Sequence, residues 1–210
     1  MKDIYIIGAG GFGREVAWVI ERINEINPIW NIAGFIDDNE AIWIEYRDGY
    51  KVLGGCEYLK SVGETYAVCA VGSGRIRKMI VQKLADSKVK FPTIIDPSVI
   101  FSNNIEFGEG TIICAGTILT VDIKVGKHVI INLDCTIGHD AVIEDYVTLY
   151  PGVHISGNVL LGEASEIGTG TQIIQGKSVV PDTIIGAGAV VIKDCIESGT
   201  YVGCPVKKIK

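Results

Sequence analysis

The amino-acid sequence predicts a small α/β domain over residues 1–91, followed by an all-β parallel β-helix over residues 92–210. Three observations support this division. A strict six-residue repeat of apolar side chains runs from Ile95 to Val191. A glycine-rich GxGxxG motif stands between an apolar and an amphipathic segment near the start of the chain. Two prolines, Pro92 and Pro97, mark the junction between the two parts.

The C-terminal repeat has a period of six residues. An amphipathic helix would repeat its apolar residues about every 3.6 positions and a half-buried strand every second position, so this period indicates a hexapeptide parallel β-helix. Three such segments close one triangular coil, and equivalent residues of neighbouring coils should stack about 4.8 Å apart. The inward positions are Ile95, Phe101, Phe107, Ile113, Leu119, Val125, Ile131, Ile137, Ile143, Leu149, Ile155, Leu161, Ile167, Ile173, Val179, Ile185 and Val191.

A second inward set lies two residues before the first. It is mostly small or β-branched, as at Thr117, Cys135 and Val153, which suits a narrower site near each corner. Each buried aliphatic side chain contributes roughly 1.5–3 kcal/mol, so the two sets together predict a continuous core.

The GxGxxG motif spans Gly8 to Gly13 and follows the predicted strand Asp3–Ile7. After it, apolar residues recur with helical spacing from Val16 to Ile26. The order strand, glycine loop, helix is typical of phosphate binding. Glycines let the backbone approach a ligand, and the start of the helix supplies free N–H groups.

Two further predicted strands end in loops on the same edge of the sheet. The strand Asn31–Ile36 runs into Asp37 and Asp38, and the strand Tyr66–Val71 runs into Gly72. Loops at the carboxyl ends of adjacent parallel strands face one crevice, where such folds bind ligands.

The size of the N-terminal half limits what this crevice can bind. A dinucleotide fold needs two βαβαβ halves, and the chain before Ile95 has room for one. Half of a Rossmann fold suits a mononucleotide such as a nucleotide-linked sugar, although a structural glycine turn and dinucleotide binding remain open alternatives. Aromatic and charged residues between positions 41 and 55 favour a hairpin or loop over the crevice.

Composition argues against several classes of function. The formal net charge of −6 does not suit a nucleic-acid-binding protein. No apolar segment reaches membrane-spanning length, and the first residues lack the pattern of a signal peptide. The six cysteines include no CxxC pair, so we expect reduced thiols and a cytoplasmic location.

Among the three histidines, His139 has the most informative neighbours. It lies at or beside a corner, Asp140 follows it, and Gly157 lies one coil of 18 residues later. A general base, a carboxylate that orients it and a nearby backbone N–H are what acyl transfer requires. Adjacent residues of a straight strand point to opposite faces, so His139 and Asp140 can pair only where the chain bends. For His128 and His154 we expect exposed positions at corners.

Other chemistries match the spacing less well. Cys135 is a conceivable nucleophile, but it belongs to the narrow inward set and is therefore predicted to be a core thiol. A zinc hydrase needs three converging nitrogen ligands, whereas His128, His139 and His154 occupy three different positions of the repeat, so we expect no metal. A non-enzymatic scaffold that only senses a nucleotide remains an alternative.

Over nearly its full length the chain resembles a family of hexapeptide-repeat sugar O-/N-acyltransferases. That family includes sialic acid O-acetyltransferases and the N-acetyltransferases of bacillosamine precursors and perosamine. The resemblance rests on the motifs GAGGFG, FIDD, AVGSG, IGHD and GCPVKKIK together with the repeat. It implies a left-handed β-helix, although parallel crossovers are generally right-handed.

The resemblance implies roles for individual residues. At the catalytic centre His139 corresponds to the general base, Asp140 to its acidic partner, and Gly157 to the backbone amide that meets the thioester carbonyl. Positions that hold the nucleotide-linked sugar correspond to Gly10, Gly11, Phe12, Asp37, Asp38 and Gly72. Contacts to acetyl-CoA correspond to Thr148, Thr169 and Ala187, and some relatives have a histidine at the position of Thr148.

The resemblance also implies a reaction and an assembly. The expected reaction is acetyl transfer from acetyl-CoA to a nucleotide-linked amino sugar, with O-acetylation of sialic acid or a related sugar as the alternative. The expected assembly is a homotrimer with acetyl-CoA in the groove between adjacent prisms. Apolar residues outside the repeat, among them Ile130, Val142, Leu160 and Ile174, are predicted to lie exposed and to need such cover.

Overall fold

A computed structural model describes all 210 residues. The N-terminal part is an α/β domain with six strands, three α-helices and a short 3₁₀ turn at Glu40–Ile42. Its strands are β1 (Lys2–Ile7), β2 (Trp30–Ile36), β3 (Tyr46–Arg47), β4 (Tyr50–Gly54), β5 (Thr65–Cys69) and β6 (Val89–Lys90), and its helices are α1 (Gly11–Ile26), α2 (Cys56–Val62) and α3 (Gly74–Lys83). The strand order is β3-β4-β2-β1-β5-β6, and β1 pairs in parallel with β2 and β5.

Helix α1 follows the glycine-rich loop directly. It buries Val16, Val19 and Ile20 against the sheet. Ile26, for which the spacing predicts the same face, is 74% exposed because α1 ends at this residue. A Cβ atom at Gly13 would lie 1.9 Å from the carbonyl oxygen of Gly8, so only glycine lets the helix begin this close to the end of β1.

Within residues 41–55, a hairpin spans residues 46–54. Strands β3 and β4 are antiparallel, and β4 pairs in parallel with β2. The hairpin therefore extends the sheet at its edge. Trp43, which precedes it, is held in place because its indole N–H donates to the carbonyl oxygen of Asp37 over 2.7 Å.

The C-terminal part is a three-sided prism of short strands. Residues 18 apart pair in parallel, as Ile112 with Ile130 and Thr136 with His154. Face 1 consists of Ile94–Ile95, Ile112–Ile113, Ile130–Ile131, Thr148–Leu149, Glu166–Ile167, Ile184–Ile185, Thr200–Val202 and the antiparallel Lys207–Lys208. Face 2 consists of Ile100–Phe101, Ile118–Leu119, Thr136–Ile137, His154–Ile155, Gln172–Ile173 and Val190–Val191. Face 3 consists of Ile105–Phe107, Ile123–Val125, Val142–Ile143, Leu160–Leu161 and Ser178–Val179.

The six-residue repeat forms the core of the prism. Every inward position from Ile113 to Val191 is buried, and so are the narrower positions such as Thr117, Cys135 and Val153. The first coil departs from the prediction because Phe101 is 45% exposed. No coil lies beneath this end of the solenoid, so Phe101 can pack on only one side.

The corners of the prism follow a second six-residue rule, which concerns backbone conformation. Every sixth residue from Gly110 to Gly188 has a positive φ, in the left-handed region that glycine, asparagine and aspartate tolerate best. Asp140 has a φ of 59°. Even His128, Tyr146 and Ala164, which occupy the same position of the six-residue repeat, adopt this conformation. The corners thus bend the chain at regular intervals.

The α/β domain docks on face 1. The outward residues Ile94, Ile112 and Ile130 belong to the same buried cluster as Val16 and Ile20 of α1. The prediction that Ile130 is exposed is therefore wrong, because the N-terminal domain covers it. Of the other three apolar residues outside the repeat, Val142 is half-buried, whereas Leu160 and Ile174 are 40% and 42% exposed.

The six cysteines are all free thiols, and only Cys204 is exposed. Of the three α-helices, none combines the length and the apolar composition that a membrane span requires.

Candidate functional site

His139 and Asp140 form a pair at the corner that joins face 2 to face 3. Nδ1 of His139 lies 2.7 Å from Oδ2 of Asp140, and about half of each side chain is exposed. Adjacent residues can meet in this way because the left-handed conformation of Asp140 turns the chain at the corner. Because an ionised carboxylate can only accept a hydrogen bond, Nδ1 carries the proton and Nε2 is left as the basic nitrogen.

Gly157 lies directly against the imidazole of His139, one coil further along. A Cβ atom at Gly157 would be 2.5 Å from Nε2 of His139, so any larger residue would displace the ring. The next residue, Asn158, donates its N–H to the carbonyl oxygen of His139 over 2.8 Å, whereas the N–H of Gly157 takes no part in the backbone ladder. A basic nitrogen on an exposed side chain and an amide that is free of the ladder therefore lie at one corner, which suits a reaction that forms an oxyanion.

A second feature is a cavity of about 600 Å³ at the carboxyl ends of β1, β2 and β5. Its polar lining comes from Asp37, Asp38 and Lys83. The apolar lining includes Ile76 and Met79 of α3. This is the crevice that the strand order predicts, and its apolar walls with a few charged groups suit a nucleotide.

Of the residues predicted to hold a nucleotide-linked sugar, only Asp37 and Asp38 line this cavity. Gly10 and Gly11 lie on the exposed glycine loop, with open space where their Cβ atoms would stand. Phe12 is half-buried and packs against the core of the domain. Gly72 lies at the junction with the prism, where a Cβ atom would be 3.3 Å from the hydroxyl of Tyr150.

The two carboxylates of the crevice have structural partners of their own. Asp37 accepts a hydrogen bond from the N–H of Ala9 over 3.0 Å, which fixes the glycine loop. Asp38 accepts from the N–H of Cys56 over 2.8 Å and from Lys83 over 3.0 Å. The backbone hydrogen bond from Cys56 is the main cause of the lowered pKa of Asp38, and Lys83 adds to it.

The residues predicted to contact acetyl-CoA do not lie together. Thr169 and Ala187 are exposed on successive coils of the corner between face 1 and face 2, and the neighbouring glycines Gly170 and Gly188 leave open space around them. Thr148 is instead 1% exposed, and its hydroxyl donates to the carbonyl oxygen of Gly72 over 2.6 Å. We therefore leave Thr148 out of the acetyl-CoA site, contrary to the sequence-based prediction, because the docked domain covers it.

The remaining candidate groups are separated or buried. Cys135 is fully buried, and burial raises the pKa of its thiol to about 11, so it is unsuited to act as a nucleophile. His128 is buried at the domain junction, contrary to the prediction, and His154 lies exposed on face 2 beside Thr136. No three His, Cys, Asp or Glu side chains lie close enough together to hold a metal ion.

Sequence reasoning missed Arg77, which contacts both domains. Its side chain is completely buried between α3 and the prism. The sequence around it, RIRKMIVQK, looks like an ordinary charged helix surface. Only the docking of that helix on the corner between faces 3 and 1 shows that one of its charges is internal.

Comparison with known proteins agrees with this description. The family model of the PglD N-terminal domain matches residues 3–84. GDP-perosamine N-acetyltransferase of Escherichia coli O157:H7 is 29% identical over 185 residues, which cover 87% of this chain and 82% of that protein. UDP-N-acetylbacillosamine N-acetyltransferase of Bacillus subtilis (strain 168) is 32% identical over 119 residues, which cover 55% of this chain and 52% of that protein.

Solved structures share the whole architecture. The acetyltransferase domain of PglB from Neisseria gonorrhoeae FA1090 in complex with acetyl coenzyme A superposes with a TM-score of 0.89 at 29% identity, covering 99% of both chains. A mutant of perosamine N-acetyltransferase from Caulobacter crescentus in complex with CoA and GDP-perosamine gives a TM-score of 0.89 at 27% identity, covering 100% of this chain and 98% of that one. The common fold is an α/β domain followed by a left-handed β-helix. In its two-part architecture the chain is thus similar, over nearly its whole length, to hexapeptide-repeat sugar acyltransferases, and residues 3–84 match the PglD N-terminal domain.

Proposed function

We propose that this protein transfers the acetyl group of acetyl-CoA to the amino group of a nucleotide-linked sugar. The observation that carries the proposal is the exposed His139–Asp140 pair, whose imidazole lies against Gly157. The names of the two curated relatives and the ligands of the two solved structures support an amino sugar on a nucleotide as acceptor and acetyl-CoA as donor.

In the proposed reaction the neutral amino group attacks the carbonyl carbon of the thioester while Nε2 of His139 accepts a proton from the attacking nitrogen. The carbonyl oxygen becomes an oxyanion and accepts a hydrogen bond from the N–H of Gly157. When the C–S bond breaks, the proton held by His139 passes to the CoA thiolate. Asp140 stabilises the imidazolium in between, and no acyl-enzyme forms.

The acceptor would bind in the crevice, with Asp37 and Asp38 lining the nucleotide site. The open glycine loop at Gly10 and Gly11 would face its phosphates, because backbone N–H groups at the start of a helix favour anions. Phe12 and Gly72 stay in this site as predictions. The domain boundary near residue 91 and the cytoplasmic location are likewise predictions.

We also propose that the active site is shared between the subunits of a homotrimer. In one chain Thr169 and Ala187 occupy the corner between faces 1 and 2, while His139 occupies the corner between faces 2 and 3. One acetyl-CoA molecule would contact both corners if they come from different subunits. The α/β domain covers face 1 at Ile112 and Ile130 but not at Ile184. Face 2 exposes Ile118 and face 3 exposes Leu160, so these two faces are free to pack against other subunits.

A panel of acceptors tests the function. The protein is incubated with acetyl-CoA and UDP-, GDP- or dTDP-linked amino sugars, or with sialic acid, and free thiol is measured. Thiol release with an amino sugar and a product acetylated on nitrogen would support the proposal. Release with sialic acid alone would favour O-acetylation, and nucleotide binding without thiol release in any mixture would favour a sensing scaffold.

Subunit mixing tests the shared site. The variants His139→Ala and Ala187→Glu should each be inactive, the first through loss of the base and the second because a charged side chain blocks the small-residue corner. Refolding the two together should restore activity, since some interfaces then combine two intact corners. Mixed trimers without any recovered activity would contradict a site built from two subunits.

A further inference from the structure

Arg77 of α3 connects the α/β domain to the prism through buried hydrogen bonds. Its Nε donates to the carbonyl oxygen of His128 over 2.7 Å, and Nη2 donates to the carbonyl oxygen of Tyr146 over 2.7 Å. Nη2 also lies within hydrogen-bond distance of the Val147 carbonyl oxygen, at 3.1 Å, and of Oγ1 of Thr148, at 3.0 Å. One guanidinium thus contacts two successive coils of the solenoid.

The other side of the same guanidinium holds the loop at the end of β5. Nη1 donates to the carbonyl oxygen of Val71 over 2.6 Å and to that of Gly72 over 3.1 Å. The carbonyl oxygen of Gly72 also accepts from the hydroxyl of Thr148 over 2.6 Å. Val71 lines the crevice, so the wall of the proposed acceptor site is tied to the prism by these bonds.

The electrostatics of Arg77 are unusual for a buried charge. Every group that accepts its hydrogen bonds is neutral, and it takes part in no salt bridge. Burial lowers the pKa of Arg77 to about 10, so the group is still a cation at neutral pH. Burying an unpaired charge is costly, and apolar side chains would pack two domains at lower cost. What apolar packing cannot provide is a fixed direction for each carbonyl group.

We propose that Arg77 is a positioning residue, which holds the crevice loop 71–72 at a set distance and orientation relative to the prism. This inference rests on the proposed function, because the acceptor must be presented to the thioester at the prism. A misplacement of about 1 Å can slow a reaction by roughly 10²-fold. Loosening this joint should therefore reduce turnover more than it reduces nucleotide binding within the crevice.

The test compares Arg77→Lys with a matched control, Arg22→Lys. Arg22 also joins the α/β domain to the prism, through Nε to the buried carboxylate of Asp96 over 2.7 Å, but it does not line the crevice. Lysine keeps the positive charge in both variants but lacks the several N–H donors of the planar guanidinium group. Both should lower Tm. At a temperature where both are folded, Arg77→Lys should lower kcat at least tenfold with the Kd of the nucleoside diphosphate changed less than threefold, whereas Arg22→Lys should leave kcat within twofold.

A milder variant covers the case in which Arg77→Lys folds poorly. Thr148→Val keeps the volume and removes the hydroxyl that contacts both Arg77 and Gly72. Like Arg77→Lys, this variant should have a lower kcat than wild type, here by a few-fold, and should keep its affinity for the nucleotide. Unchanged kcat in Arg77→Lys, or equal losses of kcat in the Arg77 and Arg22 variants, would overturn the positioning role.

Hydrogen exchange separates this proposal from the proposed function. The N–H of Gly74, just beyond the clamped loop, donates to Oε1 of Glu166 of the prism over 3.3 Å. Its amide exchange should be faster in Arg77→Lys than in wild type and unchanged in Arg22→Lys. If no acceptor supports thiol release in wild type, the acetyltransferase proposal fails on its own. Exchange that is equally slow in wild type and Arg77→Lys would refute the clamp whatever the activity.

Discussion

Two corners of the same solenoid carry a histidine, and their surroundings are opposite. His139 is about half exposed, pairs with Asp140 and lies against Gly157. His128 is 2% exposed, stacks on Tyr146 with 5.3 Å between ring centroids, and has no hydrogen-bond partner for Nδ1. Both stand at corners of the same solenoid, yet only His139 is open to solvent.

The difference arises from what covers each corner. The α/β domain lies over the corner of His128, and Phe91 contacts its ring edge-on with 4.9 Å between centroids. This burial, aided by the nearby charge of Arg77, lowers the pKa of His128 to about 4, while Glu109 opposes the shift. The corner of His139 has no such cover. Whether a corner histidine of this solenoid is buried or exposed to solvent therefore depends on which corner the α/β domain covers.

The largest expected effect is at the open corner. His139→Ala should lower kcat by about 10²–10⁴, because the proposed general base is lost, with little change in KM for either substrate. Thiol release under saturating substrates measures this. His154→Ala is the control for loss of a second exposed imidazole. Its oligomeric state is compared with that of wild type, because His154 lies on face 2, which is proposed to contact another subunit. Activity within threefold of wild type in His139→Ala would exclude His139 as the base.

The covered corner should respond to acid through stability. His128 has a folded-state pKa of about 4, below its ordinary value of 6.5, so between these values the unfolded chain binds the proton that the folded protein excludes. Stability should thus fall as pH drops below about 6.5, and the loss is complete only below about 4. The contribution is roughly 2 kcal/mol between pH 7 and pH 5.

Urea unfolding of wild type and His128→Phe at pH 7 and pH 5 isolates this contribution, since phenylalanine keeps the aromatic stack and does not titrate. Wild type should lose more stability than the variant between the two pH values. Parallel losses in both proteins would show that His128 is hydrated in the folded state.

The contact between Gly157 and His139 can be tested by adding one methyl group. Gly157→Ala places a Cβ atom where the imidazole now lies, so the ring must shift and kcat should fall about tenfold with Tm nearly unchanged. Combined with His139→Ala, the same change should have no further effect on activity, because residues that act as a unit are not additive. A full tenfold loss in both backgrounds would indicate that Gly157 acts independently of the imidazole.

The smallest expected effect concerns Asp140. Asp140→Asn should lower kcat about fivefold, since an exposed charged partner of this kind is worth about 1 kcal/mol. The fold should tolerate the change because asparagine already occupies the equivalent left-handed position one coil later, at Asn158. Steady-state kinetics measure the expected fall in kcat, and Tm measures whether the fold tolerates the change. A large loss of Tm would mean that Asp140 mainly stabilises the corner.

Much of the site follows from the sequence because the solenoid is built by short-range rules. A period of six places residues 18 apart on top of each other, so the contact between His139 and Gly157 can be predicted by counting. The pairing of His139 with Asp140 needed one more fact, the left-handed corner conformation. Its signal, glycine, aspartate or asparagine at many of the sixth positions, is present in the sequence.

Other features depend on how the two domains meet. The repeat treats its three faces alike, so it cannot show that α1 covers Ile130 or that Thr148 and His128 are internal. In the same way, nothing in the spacing of α3 distinguishes the buried Arg77 from its charged neighbours. Docking depends on the shapes and side chains of two separate surfaces, which lie far apart in the chain.

The sequence by itself therefore determined the solenoid, its register and the groups stacked at each corner, because those depend on contacts between residues a fixed distance apart. Only the tertiary structure decided which face the α/β domain covers, and with it which histidine is open to solvent and which arginine joins the two domains.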